Sequence, residues 1–184
     1  FLYTLKPLKT QDTVRHLKSI DLKRDIMAAT NNQDKDNTME CTIRWVGPDA
    51  GMSFLGESGT GHAVLMDGAP EAGGRNLGPR PMELLLIGTG GCSAFDVVMI
   101  LQKARQKVTG CVARLSATRA TEDPKVFTAI NFHFVVSGHN LSQAAVERAV
   151  KLSHEKYCSA SIMLAHSATM THSIEIIEPG APAS

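Results

Sequence analysis

The feature that most constrains this chain is an apolar run from Leu84 to Gln102, held between Glu83 and Lys103. A bilayer span needs about 20 such residues, so length alone would allow one. The composition of the run argues otherwise. Asp96 lies inside it, with Gly88, Thr89, Gly90, Gly91 and Ser93, and an aspartate at mid-membrane costs about 3 kcal/mol on insertion scales. The run also stands alone. We therefore read a central helix, about Pro81 to Lys107, surrounded by protein, with Pro81 suited to its first turn. Its first half is apolar on every side, and its glycines suggest close approach by a neighbouring helix. Its second half places Val97, Ile100, Leu101, Ala104 and Val108 at i, i+3, i+4 spacing. One sheet cannot cover an all-round apolar helix, so a partner subunit is expected on its other side, most simply in a two-fold dimer.

Strand patterns flank this helix. Glu40 to Val46, Met52 to Leu55 and His62 to Asp67 precede it, with Gly56 to Gly61 as a turn and Gly68 to Pro81 as a Gly/Pro-rich loop. After it, Gly110 to Thr121 alternates with Cys111, Ala113, Leu115 and Ala117 on one face. Val126 to Val136 places Ile130, Phe132, Phe134 and Val136 inward and Asn131 and His133 outward. A second helix starts near Asn140, read as an N-cap with Gln143 three residues on; its inner stripe is Val146, Ala149, Val150, Ser153 and Tyr157. A helical turn follows Cys158 through Leu164, and His172 to Glu178 is a last strand. The order is three strands, a long helix, two strands, a helix and a strand. It implies an α+β layer fold with antiparallel sheets and helices grouped on one face.

The chain has 184 residues, 43% of them hydrophobic, which suits one domain with a sizeable core. Nineteen Lys and Arg against eighteen Asp and Glu leave no net field to attract nucleic acid or an anionic membrane. Residues 1–38 are dense in both charges and end in a polar run; they are read as a mobile extension, with Val14, Leu17 and Ile20 able to make a short amphipathic helix. The domain is expected over residues 39–178, with 179–184 as a tail. No signal-peptide pattern opens the chain, so the expected compartment is the reducing cytoplasm.

Several chemical motifs fail on inspection. Gly56-Glu57-Ser58-Gly59-Thr60-Gly61 has Thr60 where a hydrolase elbow needs glycine. Gly88-Thr89-Gly90-Gly91 lies within a helix and lacks the residues of a phosphate loop. The four cysteines, Cys41, Cys92, Cys111 and Cys158, form no C-x-x-C pair. His154 and Glu155 with Cys158 have no second ligand cluster, so neither a metal nor a cofactor is expected. Cys111 falls in a row of core positions and reads as structural. Cys92 and Cys158 lie at inward positions of adjacent helices, Cys158 at a helix start whose free N–H groups favour a thiolate. They can form a redox couple if their Cα atoms come within about 7 Å; otherwise they are two small buried hydrophobes. A hydrolase or acyl carrier using Cys92 with His154 or His166 has no third, orienting residue to support it.

The segment from Pro81 to Val98, centred on Gly90-Gly91-Cys92-Ser93-Ala94-Phe95-Asp96, resembles the first cysteine motif of the OsmC/Ohr family of osmotically inducible and organic-hydroperoxide-resistance proteins. Glu155-Lys156-Tyr157-Cys158-Ser159-Ala160 resembles its second. Trp45, the run Phe54 to Ser58 and the ending Thr171-His172-Ser173 place the likeness nearest the YhfA-like branch. It covers Met39 to about Glu178. The resemblance implies an OsmC-like fold, antiparallel sheets around two central helices, in an intertwined homodimer with sites at its interface. It also implies that Cys92 attacks an organic hydroperoxide, that Cys158 resolves the sulfenic acid to a disulfide, and that a dithiol of the lipoyl kind restores the pair. Two positions depart from the family pattern. Met82 stands where the peroxidases carry a glutamate, and the candidate Glu83 comes one position later, turned by about 100°. The hairpin between Val46 and His62 holds no Arg or Lys, leaving Arg44, Arg75 or Arg80 as substitutes for the family's arginine. Those departures keep a second reading alongside the peroxidase: a non-catalytic dimer that binds a small apolar or thiol ligand at its interface.

Overall fold

A computed structural model describes residues 38–178. Apart from Thr38, the extension assigned to residues 1–38, with its short helix through Val14, Leu17 and Ile20, lies outside the described residues, as does the tail from 179 to 184. The chain divides after Cys41. The unit beginning at Thr42 contains every element below except the first residue of β1.

Two three-stranded sheets form. The first is ordered β1 (Cys41–Trp45), β2 (Phe54–Ser58), β3 (Ala63–Met66). β2 and β3 pair antiparallel, with Gly56 opposite Val64, so β2 runs further than the expected strand and the turn tightens to Gly59–Gly61. Gly56 belongs in the strand for a steric reason. A β-carbon there would stand 3.1 Å from Met66 Cε and 3.3 Å from Ile43 Cδ1, which close over the bare backbone. Little of this sheet is covered: Ile43, Trp45, Val64 and Leu65 are all exposed.

The long helix, α1, spans Pro81–Lys103. It stops short of Lys107 because Arg105 takes a left-handed turn (φ 57°) that sends the chain directly into a strand. That strand, β4, is Lys107–Arg119 and begins three residues earlier than the alternation suggests. It pairs antiparallel with β5, Phe127–His139, Leu115 lying opposite Phe132. The third strand, β6 (Thr169–Ile177), runs parallel to β5, so this sheet is mixed rather than antiparallel throughout. Parallel neighbours need a crossover. Here α2 (Gln143–Leu152), a π-helical turn (Ser153–Tyr157) and α3 (Ser159–Leu164) supply it.

Ser142, not Asn140, caps α2: its hydroxyl accepts the Ala145 N–H at 3.4 Å. Asn140 sits in the preceding turn with φ 51°, a conformation asparagine tolerates better than most residues. Val146, Ala149, Val150 and Ser153 are buried as the stripe requires. Tyr157 is not; it is 49% exposed, because the widened π-turn rotates the residues after Ser153 off the α-helical register.

The core lies between the second sheet and the helices. Ile130, Phe132, Phe134 and Val136 are fully sealed on the inner face of β5, against Val97 and Leu101 of α1 and Val146, Ala149 and Val150 of α2. Each such side chain contributes about 1.5–3 kcal/mol by leaving water. Cys111, Ala113, Leu115 and Ala117 pack beside them, so Cys111 is a core residue, and burial pushes its thiol pKa up. On the outer face the Asn131 amide donates to Thr171 and the His133 ring meets Ser173.

α1 is long and apolar enough to cross a membrane by length and composition, yet it is packed on one side by β4, α2 and α3. Thr89, Gly90, Ser93, Val97 and Leu101 form the covered side. The other side is open in the single chain, with Ile87 61% and Phe95 64% exposed. The glycines divide the same way. Gly90 is approached by Leu115 of β4, a strand rather than the expected helix, whereas nothing lies within 4 Å of a β-carbon at Gly88 or Gly91.

Candidate thiol site

Three elements meet at the cysteines. Cys92 lies in the middle of α1, and Asp96 follows it one helical turn later on the same face. The crossover brings the third residue. At the end of α2 the Cys158 N–H bonds back five residues to the Ser153 carbonyl, at 2.8 Å, closing the π-turn. This leaves Cys158 as the N-cap of α3, fully buried, with its Sγ pointing at α1. The sulfurs of Cys92 and Cys158 and a carboxylate oxygen of Asp96 all lie within 4.8 Å of one another. Both thiols are free.

Serines hold the cluster in place. The Ser161 hydroxyl donates to Cys158 Sγ at 3.1 Å and the Ser161 N–H does so at 3.4 Å. Cys158 Sγ lies 4.0 Å from the Thr89 carbonyl. Ser153 joins the two helices: its hydroxyl is 2.9 Å from that of Ser93 and 3.3 Å from Asp96 Oδ2. Both serines are buried, so these bonds satisfy groups that would otherwise be costly to desolvate. Burial pushes the Cys158 thiol pKa up, and the neighbouring Cys92 adds to the rise; the two bonds from Ser161 oppose it without reversing it. The helix start therefore does not make Cys158 a ready thiolate.

His154 stands apart from this cluster. Its ring packs edge-on to Phe132 at 4.6 Å and stacks on His172 at 5.2 Å, and its buried Nε2 has no partner. Burial, aided by the charge of His172, lowers its pKa to about 4. It is a neutral core histidine rather than a base on Cys92.

The other candidates are dispersed. Glu83, exposed at the third position of α1, accepts the Arg80 backbone N–H at 2.9 Å. It caps the helix nine residues before Cys92, a rise of about 13 Å, so the chain does not bring it to the sulfurs. Arg44 pairs with Glu57 at 3.1 Å on the surface of the first sheet. The Arg75 backbone N–H is bound to Asp67. Arg80 lines a cavity of about 450 Å³ with Met82, Leu86, Ala117, Arg119 and Phe127. Leu86 also borders a second cavity of about 250 Å³ along the seam of α1 and β4, lined by Ile87, Gly90 and Leu115 among others. Neither cysteine opens into either cavity.

Asp96, Ser153 and Ser161 are the site residues that sequence reasoning does not assign. Their signals lie in the spacing: Asp96 is four residues from Cys92 on one helix, and Ser161 is three from Cys158, the interval between a cap and the N–H it receives.

A mixed sheet under a crossover, with two thiols facing each other between its helices, defines the class as an α+β dithiol protein. The chain belongs to the OsmC family. A sequence profile of OsmC-like proteins matches residues 73–173. Protein YhfA of Escherichia coli K12 is 50% identical over 139 residues, covering 76% of this chain and 98% of that one. The crystal structure of a hypothetical protein from Aquifex aeolicus superposes with a TM-score of 0.66 at 33% identity, covering 78% of this chain and 98% of that one. An organic hydroperoxide resistance protein, OsmC, from Legionella pneumophila shares the fold at a TM-score of 0.57 and 15% identity, covering 75% and 96%. The family and its OsmC-like α+β fold with two sheets are thus established.

Proposed function

We propose that this protein reduces organic hydroperoxides through Cys92 and Cys158, working as a homodimer in a reducing cytoplasm. The observation that carries the reading is the facing pair of free sulfurs, within 4.8 Å of each other. The Cys92 thiolate would attack the terminal peroxide oxygen. The O–O bond breaks, sulfur is oxidised to a sulfenic acid, and the alkoxide takes a proton and leaves as an alcohol. Cys158 then attacks the Cys92 sulfur, forming the disulfide and displacing hydroxide, which takes up the Cys158 proton and leaves as water. An external dithiol reduces the pair. Cys158 needs no low pKa for this role, since its target sits beside it and proximity replaces nucleophilicity. The homodimer is supported by the open sides of α1 and of the first sheet, where Ile43, Trp45, Ile87 and Phe95 lie bare in one chain. A second copy would cover such a surface.

The test is a thiol count on reduced protein before and after one equivalent of cumene hydroperoxide. Rapid loss of two thiols is expected, with Cys92→Ser inert and Cys158→Ser halting at sulfenic acid. Thiols unchanged after an hour would overturn the reading.

A specific observation favours the second reading, a dimer that binds a small apolar ligand without turnover. Glu83 is spent on a helix cap, and among the described residues no arginine bonds either sulfur. Meanwhile the cavity beside Arg80 and Arg119 has an apolar floor. That reading predicts slow thiol oxidation and a ligand-dependent rise in Tm; a flat response across apolar acids would count against it.

A further inference from the structure

We propose that Cys92, Asp96 and Cys158 form a binding site for a thiophilic divalent cation of the zinc type. Two cysteine sulfurs and one carboxylate oxygen within 4.8 Å are a three-donor set of the composition such ions select. In a tetrahedral site with Zn–S near 2.3 Å, the donors would stand about 3.5–3.8 Å apart, so closure requires no pair to approach by more than about 1.3 Å. Small side-chain rotations supply that.

The surroundings favour the closed arrangement. Cys92 and Asp96 are one turn apart on α1, and Cys158 is held by its place as the cap of α3, so the backbone need not reorganise. The Ser153 hydroxyl bonds Asp96 Oδ2, leaving the other oxygen for the ion, and Ser161 donates twice to the Cys158 sulfur. Outer partners of this kind orient metal ligands and tune their basicity. The electrostatics point the same way. Two thiolates beside Asp96 would repel one another without a cation, and a coordinated thiol surrenders its proton outright. Cys158 is buried while Cys92 and Asp96 are half-exposed, so the fourth position faces outward and takes a water. Each ion bound displaces two protons to solvent, one from each cysteine, and no electrons move. His154 and Glu155, the metal candidates visible in the sequence, take no part. The site rests on the reduced cluster alone and does not require peroxide chemistry. An ion there would cap both sulfurs and withhold them from any oxidant.

The experiment uses reduced full-length Cys41→Ser protein, which lacks the exposed thiol, titrated with Zn²⁺ against a chromophoric chelator and with Cd²⁺ by its thiolate charge-transfer band. One ion per chain is expected, with two protons released and with Cys92 and Cys158, but not Cys111, protected from alkylation. Asp96→Asn should weaken binding by about 10–100-fold, and Asp96→Glu should recover part of it. Absence of alkylation protection overturns the proposal without recourse to any variant, as does an affinity unchanged in Asp96→Asn. Peroxide consumption by metal-free protein, measured separately, reports on the proposed function, so either can fail while the other stands.

Discussion

The two sheets of this molecule are built from similar residues and meet opposite fates. β5 carries Ile130, Phe132, Phe134 and Val136 at alternate positions, and all four are sealed. β1 and β3 carry Ile43, Trp45, Val64 and Leu65, and all four are exposed. The second sheet has its covering layer within the chain, because the crossover from β5 to β6 must pass over one face and deposits two helices there. The first sheet has no such crossover. Its connections are a short loop with a 3₁₀ turn at Pro48–Ala50 and a hairpin, which bring no layer with them. Apolar patterning thus states that a strand will be covered; connectivity states whether the same chain does the covering.

The sharpest division between the sheets is energetic. Phe132→Ala removes a sealed ring that also supports His154, and should cost about 3–5 kcal/mol in a denaturant titration. A loss below about 1 kcal/mol would mean that the second sheet does not carry the fold. Next comes the bare side of α1. Phe95→Asp places a charge on a face that is open in one chain but would be central between two. It should dissociate the proposed dimer at micromolar protein in sedimentation velocity, a loss of about 2 kcal/mol or more in association, while the chain still folds. A dimer that survives Phe95→Asp would break the link between that open face and a second copy.

How much of this can be read from the sequence divides along the same line. The order of elements, the inward row of β5 and the role of Cys111 follow from local periodicity, because each depends on which face a side chain takes. The pairing of Cys92 with Cys158 rests on family resemblance, since no spacing rule joins residues that far apart. Three features escape a local reading for physical reasons. β6 runs parallel because the crossover carries it back along β5, which alternation within β6 cannot reveal. Tyr157 leaves the inner stripe because one π-turn breaks the 3.6-residue period. Glu83 is a candidate only through the family resemblance, yet at the third position of α1 the nearest free donor is a backbone N–H, and the carboxylate goes there.

A smaller effect is expected from pH. His154 has its pKa lowered to about 4 in the folded chain, from an ordinary value near 6.5. The unfolded chain therefore takes up a proton that the folded one refuses. Its contribution to stability is fully present above about pH 6.5 and is lost as pH falls toward 4. The loss should be about 1–2 kcal/mol, discounted because the ring is only partly buried. Urea titrations at a series of pH values should show that slope, and His154→Phe should flatten it. An unchanged slope in the variant would assign the acid sensitivity to other groups.

The most local effect lies between β3 and α1, in the Gly/Pro-rich loop. Asp67 directly succeeds β3 and is buried, and its carboxylate organises the loop from Gly68 to Leu77. Oδ2 accepts the N–H groups of Arg75 at 2.9 Å and Leu77 at 3.0 Å; Oδ1 accepts those of Gly68 at 2.8 Å and the Ser53 hydroxyl at 3.3 Å. The amides of Leu77 and Arg75 are the main reason its pKa lies below the ordinary carboxylate value. The anchoring is therefore complete above that ordinary value and is lost as pH falls through the lowered one. Asp67→Asn keeps the shape but removes the charge and places an amide group where an acceptor was needed. Hydrogen exchange, corrected for intrinsic rate, should show lost protection at Arg75 and Leu77 with no change along β5. If β5 amides lose protection as well, the loop is part of the core's cooperative unit, and the two sheets are less independent than their packing implies. If neither region changes, the loop is held by its 3₁₀ turn at Pro70–Ala72 and its glycines instead, and the carboxylate only follows a path the backbone already takes.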